Sequence, residues 1–159
     1  MATVFPSNRY RVQKGFSLLE LMVTLVVLAI ILGLGVPSMR SLILNQRVRN
    51  AAMELDAALL FARSEATKRN GNVTITPAAG GWQNGWTTTN VADGSVLQRH
   101  DPIGDLAVTA DQTSITYRHT GRITASSAQF TLDVSPTNSS VTKQCLAIDL
   151  SGKVAASSC

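Results

Sequence analysis

The sequence predicts an α+β protein in which one long N-terminal helix packs on a small antiparallel β domain. Three observations predict this fold: an apolar run from Phe16 to Val36, a helical stripe of apolar residues beyond Pro37, and a series of short strand-like runs from Val73 onward. A chain of 159 residues suits one compact domain with an appendage.

The apolar run follows a basic segment, residues 1–15, that holds three cationic side chains and no acid. A helix rises about 1.5 Å per residue, so the run from Phe16 to Val36 is long enough to cross about 30 Å of hydrocarbon. No small-residue cleavage site of the secretory kind follows it. The segment 16–37 is therefore predicted to be a retained transmembrane helix with the basic end in the cytoplasm.

A carboxylate lies close to the start of this run. Glu20 is followed by residues that are apolar or glycine apart from Thr24, as far as Val36. An acid at the bilayer centre costs a few kcal/mol on insertion scales, and acids inside membrane segments are functional candidates by default. The alternative is that Glu20 lies at the level of the lipid headgroups and has no role.

Beyond Pro37 the pattern becomes amphipathic over residues 38–71. Apolar side chains recur at spacings of three and four, which predicts one helical stripe that packs on a sheet. Gly71 is expected to cap the helix after basic residues in its last turn. The stripe consists of Val48, Ala51, Ala52, Leu55, Leu59, Ala62 and Ala66.

Residues 72–159 read as a β-rich domain, because short apolar runs alternate with clusters of Gly, Pro, Asn and Asp. Several short strands at this spacing indicate an antiparallel sheet. The predicted strands are Val73–Thr76, Trp86–Asn90, Val96–Arg99, Leu106–Thr109, Ser114–Tyr117, Gln129–Val134 and Cys145–Asp149.

Charge and cysteine content narrow the function classes. Residues 71–159 carry five basic and six acidic side chains, a balance that does not support a nucleic-acid module. Cys145 and Cys159 lack the spacing of a zinc site. In an oxidising compartment they would close a C-terminal loop worth about 3 kcal/mol, whereas in the cytosol two free thiols are expected.

The stretch KGFSLLELMVTLVVLAIILGLGVPSM resembles the N terminus of type IV pilins and type II secretion pseudopilins. In that family a short basic leader ends in glycine, an aromatic residue follows, and glutamate occupies the fifth mature position. Gly15, Phe16 and Glu20 match these places, and Pro37 matches a proline that kinks the helix in many pilins.

This resemblance implies that a prepilin peptidase cuts between Gly15 and Phe16, removing the leader 1–15, and that the new Phe16 amine is methylated. Glu20 would then neutralise the buried amine of a neighbouring subunit, because an uncompensated buried charge is strongly disfavoured. The implied partners are other major and minor pilins, the peptidase, an inner-membrane assembly platform and membrane lipid. In this scheme the helix stripe and Phe16–Val36 pack into the filament core.

A second resemblance concerns the minor pilins of the GspH/FimT/FimU group. It is carried by the helix end ARSEA (Ala62–Ala66), the segment WQNGW (Trp82, Gly85, Trp86) and the turn HTGRI with Gly121 and Arg122. The two Trp residues are expected to bracket a turn and pack structurally rather than stack on a ligand. Members that take up DNA carry an arginine-rich loop near the C terminus, and here the comparable turn, SGKVAAS, has Lys153 as its only base, so DNA is a possible but not favoured partner.

Catalytic signatures are missing from the sequence. No nucleophile elbow, H-E-x-x-H or phosphate loop occurs, and no cofactor or metal is predicted. His100-Asp101 and His119 are isolated, so a surface role is expected for both histidines.

The sequence thus predicts a structural minor pilin at or near the tip of a type IV pilus. Before assembly it would be held in the inner membrane by one span, with its C-terminal domain in the periplasm. The alternatives are a type II secretion pseudopilin, a DNA-binding minor pilin for transformation, and a membrane-anchored periplasmic enzyme.

Overall fold

The computed structural model describes residues 15–135, 137–157 and 159, and the side chains of residues 34–38 are not among those described. Helix α1 comprises Leu18–Lys68. Eight strands follow it in the described residues: β1 Val73–Ala78, β2 Gly81–Asn90, β3 Val96–His100, β4 Leu106–Ala110, β5 Ile115–Tyr117, β6 Ser127–Val134, β7 Gln144–Asp149 and β8 Val154–Ser157.

The strands form two four-stranded sheets rather than one. The first sheet has the order β3-β2-β1-β5 and the second the order β4-β6-β7-β8. Every pairing between named strands is antiparallel. The predicted α+β class is therefore confirmed, with the β-rich part divided into two sheets.

The chain divides into two compact units, Met1–Ser38 and Met39–Cys159. The buried core lies in the second unit, where the stripe of α1 packs with side chains from both sheets. All seven residues of the predicted stripe are buried, because their three- and four-residue spacing puts them on one side of the helix. The kink expected at Pro37 falls beside the boundary between the units and stays a prediction.

The C-terminal end of α1 differs from the prediction. The last helical residue is Lys68, and Asn70 rather than Gly71 adopts the left-handed conformation, with φ of 51°. The amide of Gly71 donates to the carbonyl of Ala66 at 3.1 Å, and that of Asn70 to Thr67 at 3.3 Å. This pair of bonds is a Schellman motif, and asparagine is among the few residues that tolerate its left-handed position.

All seven predicted strands are present with shifted ends, and an eighth was not predicted. Strand β1 continues through Pro77 to Ala78 at an irregularity in its pairing, and β2 begins at Gly81 instead of Trp86. Strand β8 pairs only with β7 at the edge of the second sheet. Its sequence, VAAS, has little β-branched or aromatic content, so composition alone does not reveal it.

Candidate functional site

The first candidate site is the start of α1. Gly15, Phe16 and Ser17 precede the helix in irregular backbone, and Glu20 lies in the first turn. The helix opens with a hydrogen bond from the amide of Leu21 to the carbonyl of Ser17, 3.1 Å long. An acid in a first turn interacts favourably with the helix dipole, so Glu20 also supports the local start of the helix.

Each of the three N-terminal residues predicted from the sequence is exposed. Phe16 retains 80% of its accessible surface, Glu20 is exposed, and a Cβ at Gly15 would meet no atom within 4 Å. Among the described residues Glu20 makes no ion pair. Within the described residues the Gly15–Phe16 peptide is therefore accessible and no cation pairs with Glu20; leader residues 1–14 lie outside the described part.

The apolar side chains after Glu20 are exposed around the whole helix. From Leu21 to Gly33 no described side chain is buried, and Thr24 donates its hydroxyl to the carbonyl of Leu21 at 2.8 Å. The hydroxyl of Thr24 therefore has its hydrogen-bond partner within the same helix. No helix in the described residues is both long enough and apolar enough to cross a membrane.

A second apolar face occurs on the part of α1 that belongs to the second unit. Met39, Ile43, Met53 and Leu60 are exposed and lie on one side of the helix, since it has 3.6 residues per turn. We call these four residues the outer seam. The stripe that was expected to enter a filament core is buried against the chain's own sheets instead, whereas the outer seam is exposed and can meet a neighbour.

Arg63, from the ARSEA segment, joins α1 to two turns of the β-rich part. Its Nε donates to the carbonyl of Gly121 at 3.0 Å, and its Nη2 donates to the carbonyl of Ser151 at 3.2 Å. Arg63 lies outside the apolar stripe, so the sequence predicts that it faces away from the core. Only the fold shows that its half-buried guanidinium connects the HTGRI turn with the SGKV turn.

The contact between these two turns depends on glycine. Gly152 has φ of +75°, and a Cβ there would collide with the carbonyl oxygen of Gly121 and lie 3.0 Å from the ring of Tyr117. Tyr117 is fully buried, and this burial raises the pKa of its phenol well above the usual range. The small residue lets the second turn close over Tyr117.

The same two turns present three exposed cations. Arg118 and Arg122 come from the first turn and Lys153 from the second. The sequence separates Lys153 from the other two by some thirty residues, so a linear reading finds only an isolated base. We call this set the cationic turns.

The two Trp residues lie within β2 and do not bracket a turn, which corrects that expectation. Both are buried: Trp82 meets Phe130 edge-to-face with ring centroids 4.9 Å apart, and Trp86 stacks on His100 at 4.1 Å. Between them Gly85 has φ of +92°, and a Cβ there would meet the carbonyl of His100. The WQNGW segment is structural, and its glycine permits close approach of β3.

Cys145 and Cys159 form a disulfide, with Cα atoms 5.4 Å apart. Cys145 lies in β7 opposite Ser157 of β8. The bond therefore holds the end of the chain against the edge of the second sheet, and the disulfide expected for an oxidising compartment is present.

Glu65 is a buried carboxylate that sequence reasoning missed. It is 7% exposed and lies 2.6 Å from Nε of Arg69 and 3.3 Å from Nζ of Lys68. The hydrogen bond from Arg69, followed by that from Lys68, holds the pKa of Glu65 below its usual value, against the effect of burial. The signal available in the sequence is an acid followed by bases three and four residues later.

A helix with an exposed apolar N-terminal half, followed by a disulfide-closed domain of two small sheets, is the architecture of a pilin-like subunit. The sequence pattern of the family described as "Type II transport protein GspH" matches residues 51–152, and the chain belongs to this family. The prokaryotic N-terminal methylation motif matches residues 10–36. No curated protein sequence matches the chain.

Two solved proteins have a similar fold. The type IV minor pilin FimU of Pseudomonas aeruginosa superposes with a TM-score of 0.63 at 22% identity, covering 71% of this chain and 90% of FimU. The minor pseudopilin EpsH from the type 2 secretion system of Vibrio cholerae gives 0.57 at 10% identity, covering 69% and 95% respectively. One is a minor pilin and the other a minor pseudopilin, and the two similarities establish the fold.

Proposed function

We propose that the chain is a structural minor pilin of a type IV pilus, placed at or near the filament tip, where it supports assembly. The observation that carries this proposal is the apolar half of α1, whose described side chains are exposed all round. Burying such a surface is worth about 25 cal/mol per Å². This apolar surface would be covered by lipid before assembly and by other subunits afterwards.

In this proposal the segment 16–37 anchors the chain in the inner membrane as a single span, with the β-rich domain in the periplasm. The disulfide supports an oxidising location for that domain. Prepilin peptidase removes the leader after Gly15, Phe16 becomes the methylated first residue, and the assembly platform passes the subunit into a filament of other pilins.

Glu20 supplies the electrostatic part of the contact between subunits. Its carboxylate makes no ion pair among the described residues, and a neighbouring Phe16 amine would bring one positive charge to it. In a low-dielectric filament core such a pair favours one register, since any other register leaves a buried charge uncompensated. The outer seam would extend the helix contact toward the β-rich part.

The test is intact-mass and N-terminal analysis of the chain purified from membranes of a host with prepilin peptidase. The expected product begins at methylated Phe16, and the same chain from a peptidase-deficient host keeps its leader. A mature protein that begins elsewhere would contradict the proposal. Incorporation into the filament is tested separately: the processed chain should be recovered in sheared pili and not in the membrane alone.

A type II secretion pseudopilin is the second candidate, supported by the family description and by the similarity to EpsH. Cross-linking of the chain in cells that hold both systems separates the two. Adducts with type IV pilus subunits support the first candidate, and adducts with pseudopilins support the second.

DNA binding by a minor pilin has one observation in its favour, the cationic turns. Salt-sensitive retardation of DNA that is lost in Arg118→Gln/Arg122→Gln/Lys153→Gln would support it, since phosphate contacts release counterions. Retardation that the triple variant keeps would place DNA binding elsewhere.

A further inference from the structure

A cavity of about 680 Å³ lies between α1 and the loop that joins β3 to β4. Its wall includes His100, the last residue of β3, and the loop residues that follow. This cavity lies within the second unit, Met39–Cys159, and nothing in the proposed function uses it. The side chain of His100 is the group that connects its two walls.

The imidazole of His100 is held in one orientation. It stacks on Trp86 with a centroid distance of 4.1 Å and an angle of 12° between the rings. Its Nδ1 lies 2.7 Å from the backbone carbonyl oxygen of Asp101. A carbonyl only accepts hydrogen bonds, so Nδ1 carries a hydrogen and donates it.

The second ring nitrogen faces a carboxylate. Nε2 of His100 lies 3.3 Å from Oε2 of Glu54 on α1. In a neutral imidazole with its hydrogen on Nδ1, Nε2 has only a lone pair, which does not bond to a carboxylate. When the ring gains a second proton, Nε2 donates a charge-assisted hydrogen bond to Glu54. The contact between α1 and β3 therefore depends on the charge of His100.

The other charged groups on the cavity wall come from each element around the ring. Helix α1 adds Arg47, β3 adds Arg99, and the loop adds Asp101 and Asp105. With Glu54 the wall has three acids and two arginines. The face of Trp86 adds a cation–π interaction for the imidazolium.

We propose that the His100–Glu54 contact is a pH-operated latch that holds the β3–β4 loop, residues 101–105, against α1 when His100 is protonated. When the ring is neutral the contact is lost, the loop separates from α1 and the cavity opens. Histidine is the side chain that changes charge between about pH 5 and 8, so the latch operates across that range. This inference goes beyond the proposed function and does not depend on it.

Hydrogen–deuterium exchange of the full chain in detergent micelles tests the latch. The amide of Ile103 donates to the carbonyl of Gln83 at 3.1 Å and reports loop opening. We expect the protection of peptides covering 101–106, relative to their intrinsic exchange rates, to be about two- to five-fold lower at pH 8.5 than at pH 5.5, the range expected for a partly exposed ion pair. Equal protection at the two pH values would overturn the proposal.

Three variants separate the latch from other effects of pH. In His100→Gln the amide donates to Glu54 at every pH, so the difference in protection should vanish. Glu54 is half exposed; in Glu54→Gln the amide can donate to neutral imidazole, so the loss at pH 8.5 should also vanish. His119→Gln changes the chain's other histidine, which is exposed, and should keep the wild-type difference.

A wild-type difference that persists in His100→Gln or in Glu54→Gln, or that disappears in His119→Gln, would overturn the latch. The experiment needs no filament, peptidase or partner. Its failure therefore leaves the pilin proposal intact, and failure of the pilin proposal leaves the latch intact.

Discussion

The guanidinium of Arg63 donates a hydrogen bond from Nε to the carbonyl oxygen of Gly121, at 3.0 Å and across 58 residues of sequence. A second bond, from Nη2 to Ser151, joins the same side chain to the turn before β8. Two segments that carry the family resemblance, ARSEA and HTGRI, thus meet the turn before β8 at one guanidinium. They are better understood as parts of one structural connection than as separate motifs.

Replacing Arg63 with Gln should destabilise the fold. The shorter neutral side chain leaves two carbonyl oxygens without their donor, and hydrogen bonds to charged groups contribute about 1.5–3 kcal/mol each. We expect a loss of about 2 kcal/mol in the free energy of unfolding by guanidinium. Arg49→Gln is the matched control, since Arg49 is exposed on the same helix, and it should stay within about 0.5 kcal/mol of wild type. If both variants lost the same free energy of unfolding, the charge of the helix would be responsible rather than the hydrogen bonds from Arg63 to the two turns.

Gly152→Ala should cost more than Gly94→Ala, although both glycines have positive φ. Gly152 has φ of +75° and Gly94 has +69°, but a Cβ at Gly94 meets open space, whereas one at Gly152 collides with the carbonyl of Gly121. The backbone conformation alone costs about 1–2 kcal/mol in each. Guanidinium unfolding of both variants measures the excess due to the contact, and no excess would mean that the two turns can move apart freely.

The parts of the fold that the sequence predicts are those specified by local periodicity. The stripe from Val48 to Ala66 repeats at helical spacing and is buried as expected. Strand β8 forms because it pairs with β7, a contact that its own sequence does not reveal. The cap lies at Asn70 because asparagine, like glycine, can adopt the left-handed conformation that ends the helix. The partners of Arg63 and His100 are distant in sequence, and no spacing rule connects them. The N-terminal site could be predicted from the sequence because all its residues lie in one segment, and it stays a prediction.

Reducing the disulfide should destabilise the β-rich part. Cys145 and Cys159 are 14 residues apart, and a loop of this size contributes about 3 kcal/mol by the chain-entropy estimate. We expect dithiothreitol to lower the guanidinium midpoint of wild type and to have no effect on Cys145→Ala/Cys159→Ala. A reductant effect of the same size in the double variant would exclude the disulfide as its cause.

Acidification should weaken the contribution of Glu65 to the stability of the fold. Its pKa in the folded chain is held below the ordinary value, first by the hydrogen bond from Arg69, whereas unfolding returns it to about 4.3. The stabilisation is therefore complete above that ordinary value and is lost as the pH falls through the lower, folded-state pKa. Guanidinium midpoints of wild type and Glu65→Gln should differ most at neutral pH and converge on acidification. A gap that stays constant down to about pH 3, well below the ordinary glutamate pKa, would contradict this role.

Glu20→Ala should leave the chain in the membrane but reduce its recruitment into the filament. The apolar run is unchanged, and removing an acid makes insertion easier rather than harder, whereas a neighbouring amine would lose its counter-charge. Thr24→Ala is the matched control, one helical turn away on the same face, because Thr24 satisfies its hydroxyl within its own helix. Immunoblots should detect Glu20→Ala in the membrane fraction and show that it is depleted from the sheared-pilus fraction, with Thr24→Ala normal in both.

The Glu20→Gln variant separates the effect of charge from that of shape. Its amide is nearly isosteric with the carboxylate but neutral, so Glu20→Gln should behave like Glu20→Ala. Normal co-assembly of either Glu20 variant would show that the carboxylate does not set the contact between subunits.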